Sequence, residues 1–242
     1  MPAPIPPTPA EPLPVAGFWA RYAAWSLDAA CLLPLVALLS APKIGYALHE
    51  ARTALQAMTT EAPRLLGDVL ATMQAPTDIA RQLLADPAMA SAAERLQSAL
   101  GCLLLTPLLV YALLALPWSV LFEQSRWQAT PGKRALRLLV ADEHGRRLKA
   151  GHALLRYLAA SLSWVTLNVG HAMAALPPRH LALHDKLSDT RVLHRAGSRH
   201  LPAWAKGWIA LQLIAVVFTT AWGFLSLQAA LQAALERALG GF

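Results

Sequence analysis

The sequence predicts an all-α membrane protein with three or four transmembrane helices, a small cytoplasmic β-hairpin and an external helical insert. Its composition is unusually apolar: 56% of its 242 residues are hydrophobic and only 14% are charged, against about 25% charged residues in soluble domains. Three apolar runs are long enough to cross a hydrocarbon core, which takes about 20 residues. They are Phe18 to Ser40, Ala99 to Phe122 and Trp204 to Leu227.

The chain begins with a proline-rich stretch, residues 1–14, that contains no basic residue. Such a composition cannot bury enough apolar surface to fold, so we expect a disordered tail. It does not resemble a cleavable signal peptide, because the basic n-region is missing and Arg21 and Asp28 interrupt the first apolar run.

The distribution of charge predicts which segments face the cytoplasm. Residues 41–98 hold five Lys/Arg and six Asp/Glu, whereas residues 123–153 hold seven and three. Because basic loops stay in the cytoplasm, the second segment is expected inside, the first outside, and the N-terminus inside.

A fourth segment, Leu154 to Leu176, is apolar but contains Arg156, Asn168, His171 and several hydroxyl residues. If it crosses the membrane, one of two basic segments, 123–153 or 177–206, must lie outside against the charge rule. If it is a shallow or broken helix shielded by protein, both stay inside. The sequence favours the shallow arrangement and leaves the crossing as the alternative.

The remaining segments complete the predicted organisation. The external insert, residues 43–98, is expected to form short amphipathic helices that start at "TEAP", "APTD" and "ADPA", where capping residues stand near prolines. Leu136, Leu138 and Val140 before "DEHG", with Arg147 and Leu148 after it, predict the hairpin, and Gly145 is expected to have a positive φ. Residues 196–242 are an additional transmembrane helix and tail.

Asp28 lies near the middle of the first span, where a carboxylate costs about 2.5 to 3.5 kcal/mol and normally has a partner or a function. Arg21 is on the same helical face, but two turns away and pointing in the opposite direction. We therefore expect a cation or donor from another segment, with Arg156 and His171 best placed by depth. The alternative is a protonated, hydrogen-bonded carboxyl group.

The stretch "RHLALHDKLSDT" concentrates polar residues near the end of the fourth segment. His180 and His184 have a zinc-ligand spacing, but a third ligand is not evident, so no metal site is predicted. No serine stands in a nucleophile-elbow context, and "TPGK" lacks the first glycine and the Ser/Thr of a phosphate loop. We expect no enzyme activity, no cofactor and, despite a net charge of +7, no nucleic-acid partner.

Three motifs resemble the RDD family of small bacterial membrane proteins. They are Arg21, Ala24 and Asp28 as Arg-x-x-Ala-x-x-x-Asp, "TPGK" at Thr130 to Lys133 with Gly132, and "HDKLSDT" from His184 to Thr190. The resemblance covers residues 15–195 and places the family's arginine and two aspartates on Arg21, Asp28 and Asp185. Ser188 and Asp189 stand where the family usually has a small residue and glycine, a departure that concerns the local turn.

The resemblance implies a multi-pass protein of the cell inner membrane. Transport, including cation/proton antiport, has been suggested for some members, so a small cation or another solute moving past a cluster of Arg21, Asp28, Arg156, His184 and Asp185 is the leading hypothesis. A non-catalytic scaffold or accessory subunit is the alternative. The expected partners are the lipid bilayer and either a second copy or another membrane protein.

Overall fold

The architecture is taken from a computed structural model that describes residues 13–72, 85–166, 168–177, 180–195 and 200–239. Three long helices contain the three apolar runs: α1 (Phe18–Thr72), α2 (Pro87–Gln124) and α7 (Ala203–Leu239). Each contains a stretch long and apolar enough to cross a membrane, so the membrane class and the three spans are confirmed.

The chain forms two compact units. The first contains the described residues up to Leu32 and the segment Leu114–Leu213, and the second contains the described residues of Leu33–Leu113 and of Ile214–Phe242. Every residue of the candidate site belongs to the first unit, which also contains the shorter helices and the sheet.

The insert differs from the prediction of several short helices. Helix α1 continues without a break to Thr72, and α2 begins at Pro87. The "ADPA" start is confirmed, because Asp86 Oδ1 accepts hydrogen bonds from Ala88 N (2.9 Å) and Met89 N (3.0 Å). "TEAP" falls inside α1, and "APTD" lies outside the described residues.

Small side chains explain why the two helices extend past the apolar runs. Ala47 and Ala51 of α1, one turn apart, pack against Ala99 of α2 with Leu96 and Leu103 around them. Alanine has the highest helix propensity and lets two helix backbones approach closely. This packing outweighs the weak start signals that the prolines provide.

The predicted small antiparallel sheet is present, but its second strand comes from later in the chain. Strand β1 (Leu138–Asp142) pairs with β2 (Thr190–His194), with Leu138 opposite His194 and Asp142 opposite Thr190. The turn after β1 is formed as expected, with Gly145 at φ 76°. Residues 147–148 do not pair with β1, because the chain enters the next helix at Ala150 and too few residues remain for a strand.

The fourth segment is a broken helix. Helix α4 (Ala150–Val165) has 16 residues, a length of about 24 Å, which is shorter than a hydrocarbon core of about 30 Å. Asn168, at φ 65°, precedes the one-turn helix α5 (Val169–Ala172), which continues as a 3₁₀ turn (Met173–Ala175). The chain then reaches α6 (Leu183–Leu187), which leads directly into β2.

The pairing of the two strands favours the shallow arrangement over the crossing. Strand β1 precedes α4 and β2 follows α6, yet the two strands are hydrogen-bonded neighbours. A helix that crossed the bilayer would separate them by the thickness of the membrane. The segment from α4 to α6 therefore leaves the sheet and returns to it on one side.

The core of the first unit lies between the sheet and the start of α1. Ala20, Ala23 and Ala24 of α1 contact buried side chains of the sheet and of the flanking helices. These are Leu136, Leu138, Val140, Leu148, Ala153, Val192, Ala205 and Ile209. The packing fixes the N-terminal turns of α1, and hence Arg21 and Asp28, against the sheet.

Candidate functional site

Asp28 is held by three donors from outside its own helix. Its Oδ1 accepts hydrogen bonds from Trp118 Nε1 (3.1 Å) and Gly132 N (2.8 Å), and its Oδ2 accepts one from Thr130 Oγ1. The residue is only 7% exposed. We call Asp28, Trp118, Thr130 and Gly132 the Asp28 cradle.

The "TPGK" motif supplies two of these donors because it forms one short helix, α3 (Pro131–Ala135). Thr130 is its N-cap, with extended backbone (φ −64°, ψ 161°), and its Oγ1 accepts from Lys133 N (3.4 Å). Pro131 occupies the first helical position, where its missing N–H costs nothing. The cap thus orients the Thr130 hydroxyl towards α1.

Gly132 is required by contact with α1. A Cβ at this position would lie 2.1 Å from Ala24 O and 3.0 Å from Asp28 Cγ. No side chain fits between α3 and α1, so the glycine permits the approach that brings its N–H to Asp28.

Asp185 is the centre of a second cluster, formed by two arginines. Its Oδ2 contacts Arg21 NH1 and also accepts from Ala182 N (3.0 Å), and its Oδ1 contacts Arg156 NH1. Asp185 is in the first turn of α6, where a carboxylate satisfies free backbone N–H groups. Three elements, α1, α4 and α6, therefore meet at one carboxylate.

Both arginines have further acceptors. Arg21 donates through Nε to Ala16 O and through NH2 to His180 O, each at 2.9 Å. Arg156 donates to Thr190 Oγ1, and its Nε lies 3.4 Å from Glu123 Oε2. These bonds extend the cluster to the strand β2 and to the end of α2.

Glu123 links the two clusters, because its other oxygen, Oε1, contacts Lys133 Nζ of "TPGK". The charges alternate along Arg21, Asp185, Arg156, Glu123 and Lys133. We call these five residues the charge network. Lys133 neighbours Gly132 in sequence, so the network and the Asp28 cradle are joined through α3.

The charges on the arginines set the ionisation of the Asp185 turn. Burial alone would raise the pKa of Asp185, but the positive charges of Arg156 and Arg21 outweigh it and hold this pKa below its usual range. Burial, followed by the charge of Arg156, lowers the pKa of His184 well below its ordinary value. Asp185 is therefore a carboxylate and His184 a neutral imidazole at neutral pH.

Two histidines pack together beside the network. The rings of His171 and His184 are 5.1 Å apart between centroids, and His184 Nε2 lies 3.5 Å from Asp185 Oδ1. The Nδ1 atoms of both rings are buried and have no hydrogen-bond partner among the described residues.

The structure brings the sequence-predicted residues into two groups instead of one. Arg21, Arg156, His184 and Asp185 lie together, whereas Asp28 lies in its own cradle. Donors from other segments do hold Asp28, but they are not the expected Arg156 and His171, because Asp185 and Glu123 engage Arg156.

Sequence reasoning missed Glu123 and Trp118. Trp118 stands in the second apolar run and Glu123 directly follows it, and an acidic residue or an indole N–H at such a position needs a partner. The available signal for Glu123 was its position, since it is an acidic residue at the very end of the second span.

The closing motif shows why a small residue and glycine suit this turn. Ser188 is 2% exposed, and its hydroxyl bonds His184 O (2.6 Å) and Thr190 Oγ1 (2.9 Å). Asp189 has φ 44°, in the left-handed region that glycine adopts readily and aspartate tolerates better than most residues. Ser188 and Asp189 therefore differ from the family pattern but still form the turn.

Comparison with known proteins gives two matches. The protein-family model described as "RDD family" matches residues 15–189. "Uncharacterized protein YxaI" of Bacillus subtilis (strain 168) is 32% identical over 91 residues, which cover 38% of this chain and 60% of that protein, so the chain spans less than two thirds of that relative's length. No solved structure matches the chain.

Proposed function

The chain belongs to the RDD family of membrane proteins, and we propose that it is a membrane scaffold or accessory subunit of the cell inner membrane whose buried charges hold its fold together. In this proposal the N-terminus lies in the cytoplasm, because the segments 123–153 and 177–206 are both basic.

The observation that carries the proposal is that protein donors hold both oxygens of each buried carboxylate. Asp28 accepts from three donors, and Asp185 accepts from two arginines and a backbone N–H. A carrier site must exchange its protein ligands for a solute, and each buried donor that is released without a new acceptor costs free energy. Carboxylates that three protein donors already hold suit a structural role better.

The long helices support a role in assembly. The most apolar stretches of α2 and α7 are only 11% and 6% buried within the chain, so their surfaces are open to lipid or to another membrane protein. Helices in a bilayer associate by packing such surfaces against one another. A second copy and a different membrane protein both fit this description.

Transport of a small cation is the second candidate. The observation in its favour is the His171/His184 pair, whose buried, unpartnered Nδ1 atoms adjoin the charge network. Buried ionisable groups near a membrane domain are frequent in proton and ion pathways. In a transport mechanism, these two histidines would bind and release protons beside the carboxylates of the charge network.

A flux assay separates the two candidates. Wild type and Asp28→Asn are reconstituted in liposomes with an internal pH-sensitive dye, and pulses of sodium, potassium or lithium are added. The scaffold proposal predicts no cation-dependent proton flux in either protein, with an ionophore as the positive control. Flux in wild type that is lost in a folded Asp28→Asn variant would establish transport and overturn the structural role of Asp28.

A crosslinking experiment tests the scaffold proposal positively. A photoreactive amino acid is placed at Phe218 of α7 or Leu104 of α2, which are 70% and 69% exposed. The proposal predicts a protein adduct of defined mass from at least one position in intact membranes. Lipid adducts alone at both positions would contradict it.

A further inference from the structure

Four exposed arginines lie near the end of α2, and two of them contact Trp127. They are Arg126, Arg134, Arg137 and Arg195, and we call them the arginine patch. The Arg134 guanidinium carbon lies 4.1 Å from the centroid of the Trp127 ring, and Arg195 NH2 donates to Trp127 O (2.9 Å).

Backbone hydrogen bonds hold the members of the patch close to one another. Arg195 N donates to Arg137 O (2.8 Å), and Arg137 N donates to Arg134 O (3.0 Å). Arg126 directly precedes Trp127. The four positions thus belong to one surface of the first unit, although Arg195 is far from the others in sequence.

The arginine patch brings four positive charges together on an exposed surface. Within the part of the chain that the structure describes, none of the four guanidinium groups forms an ion pair with a carboxylate. The nearest acid in sequence, Glu123, is 3% exposed and is engaged by Lys133 and Arg156. Like charges placed together repel each other unless a counter-charge binds.

An apolar groove adjoins the patch. It is lined by Leu121, Phe122, Ser125, Arg126 and Trp127. The Phe122 and Trp127 rings are stacked with centroids 5.5 Å apart, and Leu121 is 60% exposed. The groove starts on the last turn of the apolar helix α2, and a tryptophan at the end of a span marks the level of the lipid headgroups.

We propose that the arginine patch binds the phosphate of an anionic phospholipid whose acyl chain begins in this groove. Guanidinium groups form paired hydrogen bonds with phosphate oxygens, and clustered basic residues next to a span attract anionic lipid. A lipid supplies the phosphate and the apolar chain at the depth where the patch and the groove meet, whereas a soluble anion supplies the phosphate alone.

Native mass spectrometry of the full chain, released from nanodiscs of defined composition, tests the proposal. The probes are phosphatidylglycerol and the zwitterionic phosphatidylcholine. Wild type should retain phosphatidylglycerol preferentially. Arg134→Gln/Arg195→Gln should weaken its binding by about 25-fold, since each basic residue near an anionic surface contributes about a fivefold factor.

The matched control removes two charges elsewhere on the same unit. Arg147 and Arg191 are also exposed, but lie near the other end of the sheet, so Arg147→Gln/Arg191→Gln should bind phosphatidylglycerol like wild type. Arg134→Lys/Arg195→Lys should keep most of the binding. Equal losses in both Gln pairs, no preference for phosphatidylglycerol, or displacement of the lipid by millimolar glycerol phosphate would each overturn the proposal.

Discussion

At the scale of single residues, the two family aspartates are held by different chemistry. Three uncharged donors, an indole N–H, a hydroxyl and a backbone N–H, bind Asp28. Two guanidinium groups bind Asp185. The sequence showed that each carboxylate needed a partner, because burial without one is costly. It did not show which partner, because contacts between distant segments depend on how the helices pack.

This difference predicts that replacing each aspartate by asparagine lowers the free energy of unfolding by unequal amounts. In Asp28→Asn the remaining side-chain oxygen still accepts the hydrogen bonds from Trp118 and Gly132, so the free energy of unfolding should fall by only about 1 kcal/mol. Asp185→Asn leaves two buried arginines without their carboxylate and should cost about 3 to 5 kcal/mol. Denaturant unfolding in detergent micelles measures both.

The control for this comparison is Asp189→Asn, an exposed aspartate four residues beyond Asp185. Its effect should stay within about 0.5 kcal/mol, since surface substitutions are usually that mild. If Asp185→Asn were as mild as this control, the charge network would not stabilise the fold.

The lowered histidine pKa values predict that stability falls in mild acid. His184 and His194 have pKa values below their usual 6.5, so the unfolded chain binds protons before the folded one does. Stability is therefore complete above about pH 7 and declines as the pH falls below about 6.5. Asp185 does not contribute here, because its stabilisation is lost only below about pH 4.

The measurement is the melting temperature between pH 7.5 and 5.5. His184→Phe, which keeps a ring but cannot be protonated, should flatten this dependence, and the exposed His144→Gln should leave it unchanged. An equally steep curve in His184→Phe would show that His184 is not a source of the acid sensitivity.

At the scale of elements, the short helix α3 positions the site on α1. The sequence identified "TPGK" and the small sheet, because cap, proline and turn residues act locally. It missed the partner strand of β1 and the full length of α1, because strand pairing and alanine packing join residues far apart in sequence. The break after α4 was expected from its polar residues.

Gly132→Ala tests the docking of α3 on α1. Its Cβ would lie 2.1 Å from a backbone oxygen, which cannot rotate away, so we expect a loss of about 3 kcal/mol or more. Gly151→Ala is the matched control, because a Cβ added there, in the first turn of α4, would have no neighbouring atom within 4 Å among the described residues. Thermal unfolding of both variants in the same detergent gives the comparison, and equal stability would contradict this contact.

Across the whole molecule, the sheet and the charge network join the two ends of a segment that enters and leaves the bilayer on one side. The sequence predicted the three spans from their length and favoured this arrangement from the basic residues on both sides of α4. Charge alone left the crossing open, and the pairing of β1 with β2 favours the return on one side.

Cysteine labelling in intact vesicles tests this claim most directly. Single cysteines replace Glu143, after β1, or His200, after β2, in a chain whose Cys31 and Cys102 are changed to alanine. An impermeant maleimide should label both positions from the same side, and Thr60→Cys, in the segment of balanced charge, is expected to label from the opposite side. Labelling of positions 143 and 200 from opposite sides would show that the segment between the two strands crosses the bilayer.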